Sequence, residues 1–226
     1  MRARKDYEMS YNYTMDPSGF CLLADYVPHA IQEIRYYSTY NFIGERVDGY
    51  EEPCALITIE AARALKAACN EFNVLGYRAK IFDAYRPAAA VKHFVFWALE
   101  DDDTRMKPYF YPEIDKTDTI RLGYIAKQSS HSRGSTVDLT LLDMATGKEV
   151  DMGTPFDYFG ELSHPDNRDV TDEQYANRML LQRVMTRYGF VPYECEWWHF
   201  TLENEPYPDT YFEFPVSSAY LRRGRG

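Results

Sequence analysis

Three runs of this chain alternate as β-strands do, and stretches with helical spacing separate them; that interleaving limits the fold more than any other feature. The runs are GYRAKIFDAY (76–85), STVDLTLLD after Gly134, and EWWHFTL (196–202). Between them, ALITIEAARALKAACNEFNV (55–74) carries Ala and Leu at helical spacing and ends at Gly76, a natural C-terminal stop. Pro87 suits the first residue of the next helix, AAAVKHFVFWALE. Thr171, Asp172 and Glu173 open a third helix, predicted to run to Tyr188 and to close at Gly189. The acidic run from Glu100 to Asp103 and KPYFYPEID predict a long exposed loop, and NEPYPDTYFEFP a surface wrap. The expected class is α+β, with a mainly antiparallel central sheet flanked by helices.

With 226 residues the chain is within range for one large domain and long enough to bury a core. We expect a single domain over 1–226, in which 1–16 are an extra N-terminal segment and 217–226 a flexible tail. Apolar residues make up 45% and aromatics 16%, which excludes a disordered chain. A net charge of −10 repels phosphate backbones, so no nucleic-acid partner is expected. No run approaches the roughly 18 apolar residues of a membrane span, and the basic start MRARKDYEMSYNYTM lacks the apolar stretch of a signal peptide. Neither a membrane nor a protein partner is expected. Cys21, Cys54, Cys69 and Cys195 show neither paired zinc spacing nor a disulfide pattern, and read as free thiols in the cytoplasm.

The stretch QSSHSRGSTVDLTLLD (128–143) places His131 in a polar turn and Asp138 in the strand that follows. Residues an odd number apart in a regular strand face opposite ways, so the two share a target only if the chain turns between them. Gly134 permits such a turn. ECEWWHF adds His199 and, three residues before it, Glu196; these also need a bend, near Trp197, to meet. Two His and one Asp leave the fourth tetrahedral position of Zn²⁺ open, the arrangement of a catalytic site, and a carboxylate outside the ligand set can move protons. On residue types alone a blander alternative stays open. In it His131 caps a turn, Asp138 pairs with Arg133, WWHF is core, and Arg86 makes a surface ion pair. His29, His93 and His164 read as turn, helix and loop residues. A cysteine nucleophile at Cys195 lacks an oxyanion-loop motif.

SSHSRGSTVDL together with EWWHF resembles the paired signature of the zinc D-alanyl-D-alanine peptidases, Ser-x-His-x6-Asp followed by Glu-x-x-His. The resemblance is nearest to the VanX-type dipeptidases and extends through NFIGERVDGY, FDAYRP, FYPEID, GYIAKQSSHSRGS, MGTPFD and NEPYPDTYFEFP, from about Tyr36 to Pro215. It implies the zinc D-Ala-D-Ala peptidase, hedgehog-like fold and one Zn²⁺ per chain, held by His131, Asp138 and His199. Glu196 is implied as catalytic acid/base and Arg86 as the group that polarises the scissile carbonyl. Asp157 and Tyr50 would hold the substrate's ammonium and Ser129 its C-terminal end, with Asp83 and Tyr36 placed around the site rather than in it. The implied activity is hydrolysis of D-Ala-D-Ala, serving glycopeptide resistance or nutrient recycling. Rivals are a zinc D,D-carboxypeptidase or endopeptidase acting on peptidoglycan peptides and a non-catalytic zinc-binding signalling domain. Two positions depart from the family pattern: Thr136 stands where a small Ala is usual, crowding the strand behind the metal, and Phe200 replaces a Tyr.

Overall fold

The computed structural model describes residues 13–100 and 102–223. Residues 1–12, most of the expected extra segment, fall outside that range, as do Asp101 and residues 224–226. In chain order the strands are β1 (Tyr13–Thr14), β2 (Phe20–Leu22), β3 (Ile31–Gln32), β4 (Leu56–Thr58), β5 (Tyr77–Asp83), β6 (Thr136–Asp143), β7 (Phe190–Tyr193), β8 (Glu196–Leu202) and β9 (Tyr211–Phe212). The helices are α1 (Leu23–Tyr26), α2 (Ile59–Val74), α3 (Ala88–Leu99), α4 (Lys107–Phe110), α5 (Asp172–Arg187) and α6 (Ser218–Arg223). Five strands form one sheet in the order β3-β5-β6-β8-β7; β3 and β5 are parallel, and the remaining pairings are antiparallel. Pairs β1–β9 and β2–β4 stand outside it. The class is mixed α+β.

β6 sits in the middle of the sheet, and its residues from Thr136 to Leu141 are all buried. Alternate side chains of a strand point to opposite faces, so Val137, Leu139 and Leu141 form an apolar row while Thr136, Asp138 and Thr140 form a polar one. A carboxylate at the centre of a sheet must find charged or hydrogen-bonding partners, which is the first physical reason to look for a site there. On the flanks, α2 packs against β5 and α5 and buries Ala61, Leu65, Ala68 and Phe72. α5 starts with a capping box in which the Thr171 hydroxyl accepts from Gln174 N and the Gln174 side chain accepts from Thr171 N.

Gly134 ends the turn that precedes β6, with φ +85°. A Cβ there would overlap the Phe20 ring. Gly134→Ala therefore meets both left-handed strain and overpacking, together about 2–4 kcal/mol. We expect Tm to drop by about 5–15 °C, read by calorimetry.

The structure differs from the sequence reading at four places. The predicted helix at 55–74 begins only at Ile59, because Leu56–Thr58 pair with β2 and Thr58 N donates to Gly134 O at 2.8 Å. Pro87 is the extended residue before α3 rather than its first turn. The predicted exposed loop KPYFYPEID contains α4, and Phe110 and Tyr111 are buried, with Phe159 N donating to Phe110 O at 2.7 Å. The predicted flexible tail from 217 is helical over Ser218–Arg223: Leu221 is buried, Tyr220 stacks on Phe214, and the Tyr220 hydroxyl donates to Met15 O.

Candidate metal centre

His131 lies on a 3-10 turn, Ser130–Arg133, whose left-handed Gly134 folds the chain back onto β6. Asp138 stands on β6 directly opposite His199 on β8. The turn does what an odd spacing required: His131 Nε2 lies 3.2 Å from Asp138 Oδ2, and His199 Nδ1 3.2 Å from Asp138 Oδ1. One nitrogen or oxygen of each residue lies within 4.8 Å of those of the other two. Glu196 Oε2 comes to 3.4 Å from His199 Nδ1. Residues three apart reach one face because the β7–β8 pairing is irregular between Pro192 and Tyr193, where Tyr193 faces Glu196.

The hydrogen-bond partners of both imidazoles let their ring protons point away from this centre. Ala84 O lies 2.6 Å from His131 Nδ1, and a carbonyl only accepts, so Nδ1 carries the hydrogen and Nε2 a lone pair. Ser130 Oγ lies 3.2 Å from His199 Nε2 and can accept from it, which leaves Nδ1 facing inward. Nε2 of His131 and Nδ1 of His199 are then 3.2 Å apart. Asp138 Oδ1 is buried without a hydrogen bond of good geometry. Lone pairs and a carboxylate converging on one point repel each other unless a cation lies among them. This donor set of two neutral imidazoles and one carboxylate fits a divalent metal of the zinc type.

The electrostatics agree. Burial disfavours an ionised Asp138, yet His131 and His199 hold its carboxyl far below the usual carboxylate range. Burial lowers His131, keeping it neutral as a ligand must be. At His199 burial acts the same way, but Asp138 and Glu196 outweigh it, so the position attracts positive charge. Burial pushes the Glu196 carboxyl up to about 7, with His199 opposing and Asp138 assisting. That is near the operating range of a group that must take and return a proton.

Arg86 lies beside the trio. Its Nε donates to Asp83 Oδ2 at 2.9 Å, its Nη2 is 3.5 Å from Asp138 Oδ2, and its guanidinium stacks 4.8 Å from the Tyr36 ring centre and 5.0 Å from that of Phe94. A planar group held from three sides loses little further freedom when it meets a ligand. The surface ion pair considered for it is excluded, because Asp83 is buried.

A cavity of about 370 Å³ opens over the centre, lined by His131, Asp138, His199, Glu196, Arg86, Asp157 and Ser129, with walls that include Phe42, Phe159, Tyr124 and Tyr193. Asp157 is buried and, alone among the described non-glycine residues, has positive φ (63°). The Tyr36 hydroxyl reaches its two oxygens at 3.1 and 3.0 Å. Burial, then the charge of Asp138, pushes the Asp157 carboxyl well above its ordinary range. Ser129 Oγ accepts from His131 N at 3.3 Å.

Tyr50 is the exception among the expected residues. Its hydroxyl donates to Asp83 Oδ1 at 2.7 Å, and its ring lies behind that of Tyr36 rather than on the cavity wall. Tyr36 holds the place expected of Tyr50, because the Arg35–Tyr37 turn aims its hydroxyl inward. RYYSTYNF carries several tyrosines with no spacing that singles one out, and the resemblance placed Tyr36 around the site rather than in it. The other early candidates lie elsewhere. His93 accepts from Asp48 N, away from the trio. Cys195 has its thiol pushed up by burial, which disfavours the thiolate a nucleophile needs. The extra hydroxyl of Thr136 is bonded across the strands to Thr201 Oγ1 at 2.9 Å, and Phe200 is buried.

A family model described as D-ala-D-ala dipeptidase, of the M15 peptidases, matches residues 16–217. The chain belongs to this family. It is 43% identical over 201 residues to a D-alanyl-D-alanine dipeptidase of Enterococcus faecalis, covering 88% of this chain and 99% of the relative. A D-alanyl-D-alanine dipeptidase of Streptomyces coelicolor is 41% identical over 196 residues, covering 85% and 97%. One from Escherichia coli K12 is 33% identical over 180 residues, covering 80% and 82%. Among solved structures, a vancomycin resistance D,D-pentapeptidase VanY in complex with Zn(II) is similar at a TM-score of 0.39 and 16% identity, covering 70% of this chain and 78% of that one.

Proposed function

We propose that this family member is a zinc-dependent dipeptidase that hydrolyses D-Ala-D-Ala to two D-Ala, working as one domain over 1–226 with one Zn²⁺ per chain. The hedgehog-like architecture suggested by its motifs belongs to the same reading. The observation that carries it is the convergence of His131, Asp138 and His199 at the floor of a cavity that also holds Glu196 and Arg86. At about 370 Å³ the cavity is at the small end of ligand sites, which run from roughly 300 to 1,000 Å³. That size favours a dipeptide over a wall polymer.

His131 Nε2, Asp138 and His199 Nδ1 are the groups that would hold the metal. When bound, Zn²⁺ supplies a Lewis acid that polarises the scissile carbonyl and makes a water acidic near neutral pH. Glu196 takes the proton of the attacking water and later delivers it to the leaving amine. Arg86, fixed by Asp83 and two aromatic rings, faces the oxygen on which negative charge develops. Arg86→Ala is expected to lower kcat by about 10²–10³, measured by steady-state amine release, while leaving zinc content at one per chain.

Asp157, with Tyr36 bonded to it, receives the free ammonium of the substrate. A buried carboxyl kept from ionising by its surroundings becomes an effective partner once a cation enters beside it. Ser129 serves the C-terminal end. The deciding experiment combines metal analysis of the pure protein with amine release from D-Ala-D-Ala, L-Ala-L-Ala, a longer peptide ending in D-Ala-D-Ala, and N-acetyl-D-Ala-D-Ala. Cleavage of the free D,D-dipeptide alone is expected. Preference for the longer peptide overturns the dipeptidase in favour of a carboxypeptidase, equal cleavage of the acetylated compound removes Asp157 from recognition, and zinc binding without cleavage leaves a binding domain.

Cytoplasmic residence is part of the proposal. The four cysteines are free, which suits a reducing compartment, and no described helix is long and apolar enough to cross a membrane.

A further inference from the structure

The two histidines of the metal centre arrive on different pieces of chain, the 130–133 turn and β8, and outside the cavity one ion pair ties those pieces together. Arg133, two residues after His131, donates through Nε to Glu205 Oε1 at 2.9 Å, and its Nη2 lies 2.8 Å from the same oxygen. Glu205 follows His199 by six residues, just past the end of β8. Both side chains are largely buried, at 19% and 10% exposure, and Tyr211 is hydrogen-bonded to the same guanidinium. The second carboxylate oxygen, Glu205 Oε2, is buried and has no hydrogen-bond partner among the described residues.

We infer that Arg133 and Glu205 are positioning residues for the metal centre: they fix the His131 turn against the segment that carries His199. The inference rests on the zinc reading above. Its physical argument is the unpaired oxygen. A buried ion pair seldom adds net stability, because desolvation offsets attraction, and leaving one oxygen unpaired adds a further cost. A pair with that geometry is poorly suited to stabilising the fold and well suited to setting the relation between two segments. On its other sides the His131 turn is already held, by Ala84 O at Nδ1 and by Arg86 N at its carbonyl. Those contacts tie it to the segment after β5, whereas the Arg133–Glu205 pair ties it to the segment after β8. Groups that hydrogen-bond a ligand directly change metal affinity by about 10–100-fold when removed. Arg133 and Glu205 act through the chain rather than on a ligand side chain, so the low end of that range is expected.

The test is a zinc titration of the full-length protein, stripped with a chelator and titrated against a chromophoric competitor, beside the thermal midpoint of the metal-free protein. Glu205→Gln is expected to weaken zinc binding by about 10-fold. It also leaves the Arg133 charge unpaired, which lowers the metal-free midpoint, so zinc affinity is the deciding readout. Arg133→Lys keeps the charge but loses the fork, so it is expected to fall between wild type and Glu205→Gln; it carries the test if Glu205→Gln does not fold. Wild-type zinc affinity in either folded variant overturns the inference, as does a lowered metal-free midpoint with affinity unchanged, the signature of a merely structural pair. Wild-type protein that takes up no zinc at all overturns the metal reading beneath it, and is told apart because it appears before any variant is made.

Discussion

Glu196→Gln is expected to bind one zinc per chain and to turn over D-Ala-D-Ala about 10²–10⁴ times more slowly than wild type. The amide has nearly the shape of the carboxyl, and Glu196 stands 3.4 Å from His199 Nδ1 without belonging to the convergent trio. The substitution therefore removes proton transfer while leaving the donor set intact. Burial is what gives the carboxyl its proton affinity, up to about 7, and an amide cannot titrate at all. Metal analysis and amine release on the same preparation check both halves. A variant with zinc and full rate takes Glu196 out of the chemistry; a variant without zinc makes it a ligand.

Asp138→Ala is expected to lose the metal itself. The carboxylate is the single negative charge of the trio, and without it two neutral imidazoles face a divalent cation. The loss in zinc affinity should exceed the roughly 10–100-fold typical of an outer partner, and amine release should fall to background at ordinary zinc concentrations. Equilibrium dialysis of the folded variant decides: full occupancy would show that the site is built from other residues. The same change leaves Arg86 with Asp83 as its remaining carboxylate neighbour among the contacts at 3.5 Å or closer, so a control for folding by circular dichroism belongs beside it.

His131, Asp138, His199 and Glu196 were named in the sequence by the family resemblance, since on residue types alone the blander reading stayed open; what brings them together is local. A glycine before a strand and an irregularity after Pro192 are short-range devices that let residues at odd spacing share a face. The turn around His131 and the strand EWWHFTL could be read from a few neighbouring residues. Tyr36 could not be told from Tyr50, since the difference lies in which hydroxyl faces Asp157 and which faces Asp83, and that depends on packing 121 and 33 residues away along the chain. The loop at 107–115 and the C-terminal segment were misjudged for a related reason. Polar and proline-rich composition suggested solvent, while long-range aromatic contacts with Phe159 and Phe214 bury parts of both. The start of α2 failed on competition: ALIT has helical neighbours, but β2 offers it a partner strand.

The cavity separates two kinds of residue. The groups proposed to perform the reaction sit on or beside β6 and β8, with their orientations set by backbone and buried partners. Its rim comes from unrelated stretches, such as Tyr124 on a connecting segment and the part-exposed Tyr193 at a hairpin. Such a division makes the molecule evolvable: drift at the rim can reshape which small peptides are admitted while the chemical apparatus stays untouched.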